Sequence, residues 1–320
     1  MPIELLDPFS GAKLTTSENG LLNEQAVVFP YVKGAYRIVK EDNYTDNFGY
    51  QWNKFVETQV DKSSKIDISK KRFFAETGWD KEDLTGMNIL EVGSGAGRFT
   101  QIMLDFTKGN VFSVDYSNAV EANFANNGPN ERLHLFQASI YEMPFAQHQF
   151  DKVICIGVLQ HTPDVEKSVQ SLISMVKPGG TLVVDFYPIR GWWTKLHAKY
   201  FFRPWSKKIS NENLYKKIDS NIDWLIKTYR FFSKIGLGRL LNRFLPICDI
   251  DGTFPKDMPY KQLRELCVLD TFDMFSPEYD QPQKVETVVN WFKKYGMNDV
   301  WGGYIQYDHG YAAVVKGTKA

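Results

Sequence analysis

The sequence predicts an α/β protein built on a mostly parallel sheet with helices packed against it. Three observations carry this. Between residues 88 and 186, short apolar runs alternate with stretches of helical period, the pattern of repeated βαβ units. The first run turns through Gly93, Gly95 and Gly97 into a helical stretch. A loop of that kind seats a nucleoside-bearing cofactor at a strand's carboxyl end. The second run ends on Asp115, where this architecture sets an acid to accept hydrogen bonds from ribose hydroxyls.

The elements follow in chain order. Residues 1–45 are rich in turn formers (Asp7-Pro8, Ser10-Gly11, Asn19-Gly20, Lys33-Gly34) separated by short apolar pieces, which predicts a small β-rich module. Residues 46–83 read as mainly helical, with Trp52 and Arg72 among them. A strand over 88–92 leads to a helix over 97–107, and a strand over 110–115 to a helix over 117–126. Strands follow at 133–137 and 150–156. A helix over 164–176 stops at Lys177-Pro178-Gly179-Gly180, where proline and glycine end it, and a strand over 181–186 comes next. After a long insertion, a helix over 283–295 precedes two strands, 299–307 and 310–317, expected to form an antiparallel hairpin.

Composition narrows the class. The 38 Lys and Arg balance 38 Asp and Glu over 320 residues, so no global charge bias points to nucleic acid or membrane. The balance is uneven along the chain. Residues 186–247 hold thirteen basic residues against Glu212, Asp219 and Asp223, leaving 25 basic and 35 acidic residues elsewhere. Cys155, Cys248 and Cys267 are odd in number and far apart, which argues against a disulfide framework. The first residues lack a basic stretch followed by an apolar one, so no signal peptide is expected. No run nears the roughly 20 apolar residues that cross a bilayer. A cytoplasmic protein is expected, with residues 191–247 suited to peripheral contact at the inner membrane face.

Residues 89–99 read Ile-Leu-Glu-Val-Gly-Ser-Gly-Ala-Gly-Arg-Phe. They depart from the G-x-G-x-x-G of dinucleotide sites, because the third glycine comes one residue early and Glu91 precedes the first by two. Asp115, Met143-Pro144-Phe145, Gln160-His161-Thr162-Pro163-Asp164 and Lys177-Pro178-Gly179-Gly180 follow in that order. Together they resemble class I S-adenosylmethionine (SAM)-dependent methyltransferases, and in particular a type 11-like bacterial subgroup. The resemblance covers residues 87–187 and extends to Phe48-Gly49-Tyr50-Gln51-Trp52 and to Leu-Asp-Thr-Phe-Asp-Met-Phe-Ser-Pro-Glu-Tyr-Asp at 269–280.

That resemblance implies a Rossmann-like, seven-stranded methyltransferase sheet with a helical insertion after strand five. It organises the chain as a degenerate zinc-ribbon-like module at 1–45, a helical lid at 46–85 and a SAM-binding core at 86–190. A basic, aromatic helical insertion at 191–268 and a C-terminal helix and β-hairpin at 269–320 complete it. The implied cofactor is S-adenosyl-L-methionine, held by Glu91, Gly93, Ser94, Gly95, Gly97, Arg98, Asp115, Tyr116, Ser139, Ile140 and Gly157. Ser139 stands where similar enzymes carry an aspartate for the adenine amino group, and a neutral hydroxyl is a weaker acceptor than a carboxylate. Asp7 and Ser10 stand where a zinc knuckle's cysteines would be, and the region around Asn23 and Gln25 has none. Zinc needs thiolate or imidazole ligands, so no metal is expected.

Strand ends line the ligand crevice of an open α/β sheet, which makes Gln160, His161 and Tyr187 the catalytic candidates. A hydroxyl acceptor needs a base, and His161, Asp185 and Tyr187 are the groups expected near it. Alternatively, His161 helps cap the helix that Thr162-Pro163-Asp164 begins. Asp273 and Tyr279 are candidate acceptor contacts, or part of a turn joining insertion to core. No Asn/Asp-Pro-Pro-aromatic motif and no Pro-Cys nucleophile occurs in the segment after residue 156, which argues against amino-methylating and cytosine-C5 DNA enzymes. The insertion carries Trp192, Trp193, Tyr200, Phe201, Phe202 and Trp205, then Leu214, Ile218, Leu225, Tyr229 and Phe232 at helical spacing. It suits an anionic membrane surface, a lid over an anionic or lipid-linked acceptor, RNA phosphates, or a helical cap. RNA ranks last because no RNA-binding module is recognisable. Three functions stay open: methylation of a small molecule or glycan precursor, foremost on oxygen; methylation of a lipid or quinone at the membrane; and SAM binding without catalysis.

Overall fold

The structure, a computed structural model, describes residues 3–24, 26–39, 49, 67–307 and 310–320. Trp52 and most of the expected helical segment ahead of residue 67 lie outside the described residues. The strands are β1 (Leu5–Leu6), β2 (Lys13–Ser17), β3 (Gly20–Leu22), β4 (Val27–Val32), β5 (Ala35–Ile38), β6 (Asn88–Val92), β7 (Asn110–Asp115), β8 (Leu133–Ala138), β9 (Phe150–Cys155), β10 (Val176–Phe186), β11 (Met297–Tyr307) and β12 (Gly310–Lys319). The helices are α1 (Ile68–Thr77), α2 (Arg98–Phe106), α3 (Val120–Asn127), α4 (Val165–Met175), α5 (Ala198–Ser206), α6 (Asn211–Lys234), α7 (Gly238–Leu241), α8 (Ile250–Thr253), α9 (Tyr260–Phe275) and α10 (Val285–Lys294).

Seven strands were expected, and they stand inside a sheet of twelve, in the order β1-β2-β3-β4-β5-β8-β7-β6-β9-β10-β12-β11. The stretch from β8 to β10 is parallel, and β12 runs antiparallel to β10. Its central strands are apolar on both faces, as Ile89, Leu90 and Val92 of β6 show by their burial; parallel strands covered on both sides need this. The additional strands come from the front of the chain. β5 pairs in parallel with β8, Ala35 opposite Leu135 through Ile38 opposite Ala138, and β4 to β1 continue antiparallel. The edge of β8 is thereby covered rather than left open to other chains.

The front strands share the main core instead of building their own. Leu5, Leu14, Leu21, Phe29 and Ile38 cluster with Phe136, Phe145 and Phe150. β1 is tied to the Met143-Pro144-Phe145 segment, since the Leu6 amide donates to the Pro144 carbonyl (3.1 Å) and the Ala146 amide to that of Glu4 (3.0 Å). Hydrogen bonds close the turn after β1. The Asp7 carboxylate accepts from the Phe9 amide (2.9 Å) and the Ser10 hydroxyl (2.5 Å). Burial alone would raise this carboxyl, but the bonds from Ser10 and Phe9 hold it below its ordinary range.

The chain divides into two compact units. The first is Met1–Pro188 with Tyr279–Ile305 and Ala312–Ala320; the second is Ile189–Glu278 with Gln306–Tyr311. In the second unit, α6 packs on α9 through the buried stripe Leu214, Ile218, Ile222, Leu225, Ile226 and Tyr229. Arg264 on α9 binds Asp219 (2.8 Å) and Asp223 (3.1 Å) of α6. Arg203, one of the thirteen basic residues, is buried and donates to the carbonyls of Met274 (3.2 Å) and Pro277 (2.6 Å). It thus satisfies the C-terminal end of α9, where a cation is favoured. No described helix is long and apolar enough to cross a membrane.

Candidate cofactor and active site

The glycine loop leaves β6 and enters α2 with Gly93 and Gly97 at positive φ, 83° and 85°. A Cβ at Gly93 would lie 2.1 Å from the Val158 side chain, and one at Gly97 2.2 Å from Asn123 Oδ1. Both positions therefore require glycine on two counts, conformation and space. Beneath the loop, Glu91 is 2 % exposed. Its Oε2 accepts from Thr100 Oγ1 (2.5 Å) and Ser113 Oγ (2.6 Å), and its Oε1 has no partner among the described residues. Burial pushes this carboxyl up to about 7, against the bonds from Ser113 and Thr100. Asn126 and Asn127 donate to the carbonyls of Ala96 (2.8 Å) and Gly97 (3.0 Å). Glu91 thus ties β6 to α2 and β7 beside the loop, and its Oε1 has an acceptor site to offer a ligand.

Asp115 also grips the loop. Its Oδ2 accepts from the Gly95 amide (2.8 Å), and its Oδ1 from the Ser117 amide (2.8 Å) and hydroxyl (2.7 Å). A carboxylate offers about four lone-pair sites, so one acceptor site remains for a hydroxyl. Burial raises the Asp115 carboxyl, and Tyr116 beside it is raised by burial and by Glu142. Ser139 follows β8 and is buried with Ile140. Its hydroxyl oxygen accepts from the Tyr141 amide (3.2 Å), which among the described residues leaves its proton and one lone pair uncommitted. Arg98 opens α2, its guanidinium 4.7 Å from the Phe99 ring centroid. Ser94 Oγ and Gln160 Oε1 are buried without a hydrogen-bond partner among the described residues. Buried polar atoms of that kind call for a polar ligand. With the glycine cradle, they make the arrangement fit a nucleoside-bearing, charged cofactor such as SAM.

Asp185, one of the three groups expected near the acceptor, has its carboxylate engaged. Its carboxylate accepts from the Gly157 amide and from the Arg72 guanidinium, and Arg72 Nε donates to Glu76 Oε1 at 2.7 Å. The carboxylate is thereby committed to a clamp joining α1, β10 and the segment after β9. Glu76 escaped the sequence reading. It is wholly buried, its Oε2 has no partner among the described residues, and its carboxyl is pushed up to about 7. Burial is the main cause, opposed by Arg72 and reinforced by the charge of Asp185. The only sequence signal for it is its i,i+4 spacing from Arg72.

His161 ends a short turn, Leu159–His161, and is buried. Its Nδ1 lies 3.1 Å from the Tyr279 carbonyl oxygen. A carbonyl only accepts, so Nδ1 carries the proton and, in the neutral ring, Nε2 carries the lone pair. The Tyr187 ring meets the imidazole edge to face at 5.6 Å. Asp164, not His161, caps α4, its carboxylate accepting from the Lys167 amide (3.0 Å). Tyr279 enters the site through its backbone. The neighbouring Gln281, missed in the sequence, donates from Nε2 to the carbonyls of Thr162 (2.8 Å) and Pro163 (2.7 Å) and from its amide to that of Gln160 (2.8 Å). Gln283 binds the Tyr187 carbonyl (2.9 Å) in the same way. Asp273 differs from expectation: it lies within α9, not in a turn, and in the second unit while Tyr279 is in the first.

Residues 90–184 match the methyltransferase domain family. The ubiquinone/menaquinone biosynthesis C-methyltransferase UbiE of Vibrio campbellii is 29% identical over 189 residues, which span 50% of this chain and 71% of that protein. The tRNA U34 carboxymethyltransferase of Campylobacter curvus is 28% identical over 105 residues, 32% of this chain and 35% of that protein. Among solved structures, magnesium protoporphyrin IX methyltransferase (ChlM) of Synechocystis PCC 6803, with bound SAH, aligns with a TM-score of 0.47 and 13% identity, covering 87% of this chain and 96% of that one. The chain carries a methyltransferase domain at residues 90–184, with SAM as its methyl donor.

Proposed function

We propose that the chain methylates a hydroxyl oxygen of a small-molecule or glycan-precursor acceptor by direct displacement, with His161 as general base. The observation that carries this reading is the Nδ1 bond of His161 to the Tyr279 carbonyl (3.1 Å). It fixes the ring's orientation and directs the basic Nε2 to the opposite side. Bound SAM supplies a methyl group already activated by its sulfonium, so the protein's chief task is alignment. In this reading, Gly93, Ser94, Gly95 and Gly97 cradle the cofactor and Asp115 takes a ribose hydroxyl on its remaining acceptor site. Tyr116, Ser139 and Ile140 flank the adenine, and Arg98, Gly157 and Gln160 face the methionine part. His161 Nε2 removes the acceptor proton as the oxygen attacks, and Tyr187 packs against the imidazole.

A second reading, a lipid or quinone acceptor, draws on the name of the Vibrio relative, a ubiquinone/menaquinone biosynthesis enzyme. The base assignment is tested by His161→Ala. A fall in kcat of more than about tenfold with unchanged SAM affinity by calorimetry is expected for a lost general base. A smaller fall at unchanged affinity overturns that role. An acceptor screen read by S-adenosylhomocysteine release, with hydroxylated glycan precursors beside quinols, decides between the acceptors.

A further inference from the structure

The second unit carries an apolar surface that its own packing leaves uncovered. The turn Trp192–Lys195 and helix α5 expose Trp192 (79 %), Phe201 (66 %) and Trp205 (56 %), with Trp193, Leu196 and Phe202 beside them. The rings of Phe201 and Trp205 are 5.4 Å apart, and those of Trp192 and Trp193 6.1 Å. The Ala198 amide donates to the Arg243 carbonyl (2.6 Å), and Arg243 Nη1 to the Trp193 carbonyl (3.1 Å). Those two bonds bring exposed Leu240 and Phe244 alongside.

The charge around this surface is mainly basic, although Arg203 is buried and Lys207 is paired with Glu278 (2.6 Å). From residue 186 to 211 the chain has six basic residues and no acid. The three acids that follow are already engaged within the unit: Glu212 by Lys216 (2.7 Å), and Asp219 and Asp223 by Arg264. A protein-binding core is poor in lysine, whereas here Lys199, Lys207 and Lys208 interleave with the aromatics. Tryptophan and phenylalanine between lysines match the boundary between lipid headgroups and acyl chains. No described helix crosses a membrane, so contact by this surface is peripheral.

We propose that the second unit docks on an anionic bilayer surface, with Trp192, Phe201, Trp205 and Phe244 entering the headgroup boundary and the flanking lysines meeting lipid phosphates. This goes beyond the acceptor assignment and does not depend on it. The test is co-sedimentation of the full chain with phosphatidylcholine vesicles and with vesicles that also contain about 30 mol % phosphatidylglycerol. Wild type is expected to bind the anionic vesicles in preference and to bind them less as salt is raised. The double variant F201S/W205S, altered at exposed positions, and the charge-reversed K199E/K208E are each expected to lose at least about tenfold in partitioning. Circular dichroism and SAM binding check that both variants remain folded. The proposal is overturned if wild type ignores anionic vesicles, or if both folded variants partition as wild type does. It is equally overturned if F201S/W205S disrupts self-association or RNA retention while no vesicle binding occurs.

Discussion

Glu91 places a titratable group where three elements meet: it belongs to β6 and accepts from Thr100 on α2 and Ser113 on β7. Its carboxyl is raised from an ordinary 4.5 to about 7, so the folded chain keeps a proton that the unfolded chain releases. Between about pH 4.5 and 7 the native state therefore binds more protons, and stability falls as pH rises through that window. The slope is at most about 1.4 kcal/mol per pH unit for each such group. Glu76, also raised to about 7, acts in the same direction. Glu91→Gln removes one of these titrations, while that of Asp115, also raised by burial, remains. Urea unfolding of the variant is expected to show a smaller loss of stability between pH 5 and pH 7 than wild type; an unchanged slope contradicts the assignment.

Element by element, the clamp of Arg72 decides how the crevice floor is held. It joins α1 to β10 through Asp185, and Asp185 in turn fixes the Gly157 amide after β9. Arg72→Met leaves two buried carboxylates without their counter-charge. A loss of about 3 kcal/mol in urea unfolding is expected, part of it recovered by adding Glu76→Gln. None of this was legible locally, because Arg72 and Asp185 are 113 residues apart in sequence and a long-range pair leaves no trace in spacing. What short-range physics governs was legible. The strands read at 110–115 and 133–137 appear as Asn110–Asp115 and Leu133–Ala138, since an apolar run between turn formers has little freedom to be anything else. The strap formed by Gln281 and the helical setting of Asp273 were not, because both follow from tertiary packing. α9 continues past the acids of 270–273 and ends at Phe275, just before Pro277.

For the whole molecule, the joining of front strands and methyltransferase core into one sheet makes their stabilities inseparable. Leu21 on β3 is fully buried in the same cluster as Phe136 and Phe145. Leu21→Ala is expected to cost about 2–5 kcal/mol. Hydrogen exchange should then accelerate together in β3 and in β6 to β8, whereas acceleration confined to the front strands would mark an independent module. The seven core strands could be located in the sequence by their motifs and apolar runs, but the parallel docking of β5 could not, since a four-residue strand announces neither its partner nor its direction. That docking also bears on biosynthesis. Ala35 meets Leu135, 100 residues later in the chain. At roughly 5–20 residues per second of synthesis, β5 leaves the ribosome some 5–20 seconds before its partner strand exists. The nascent front segment spends that interval with the outer edge of β5 unpaired, open to pairing with other chains.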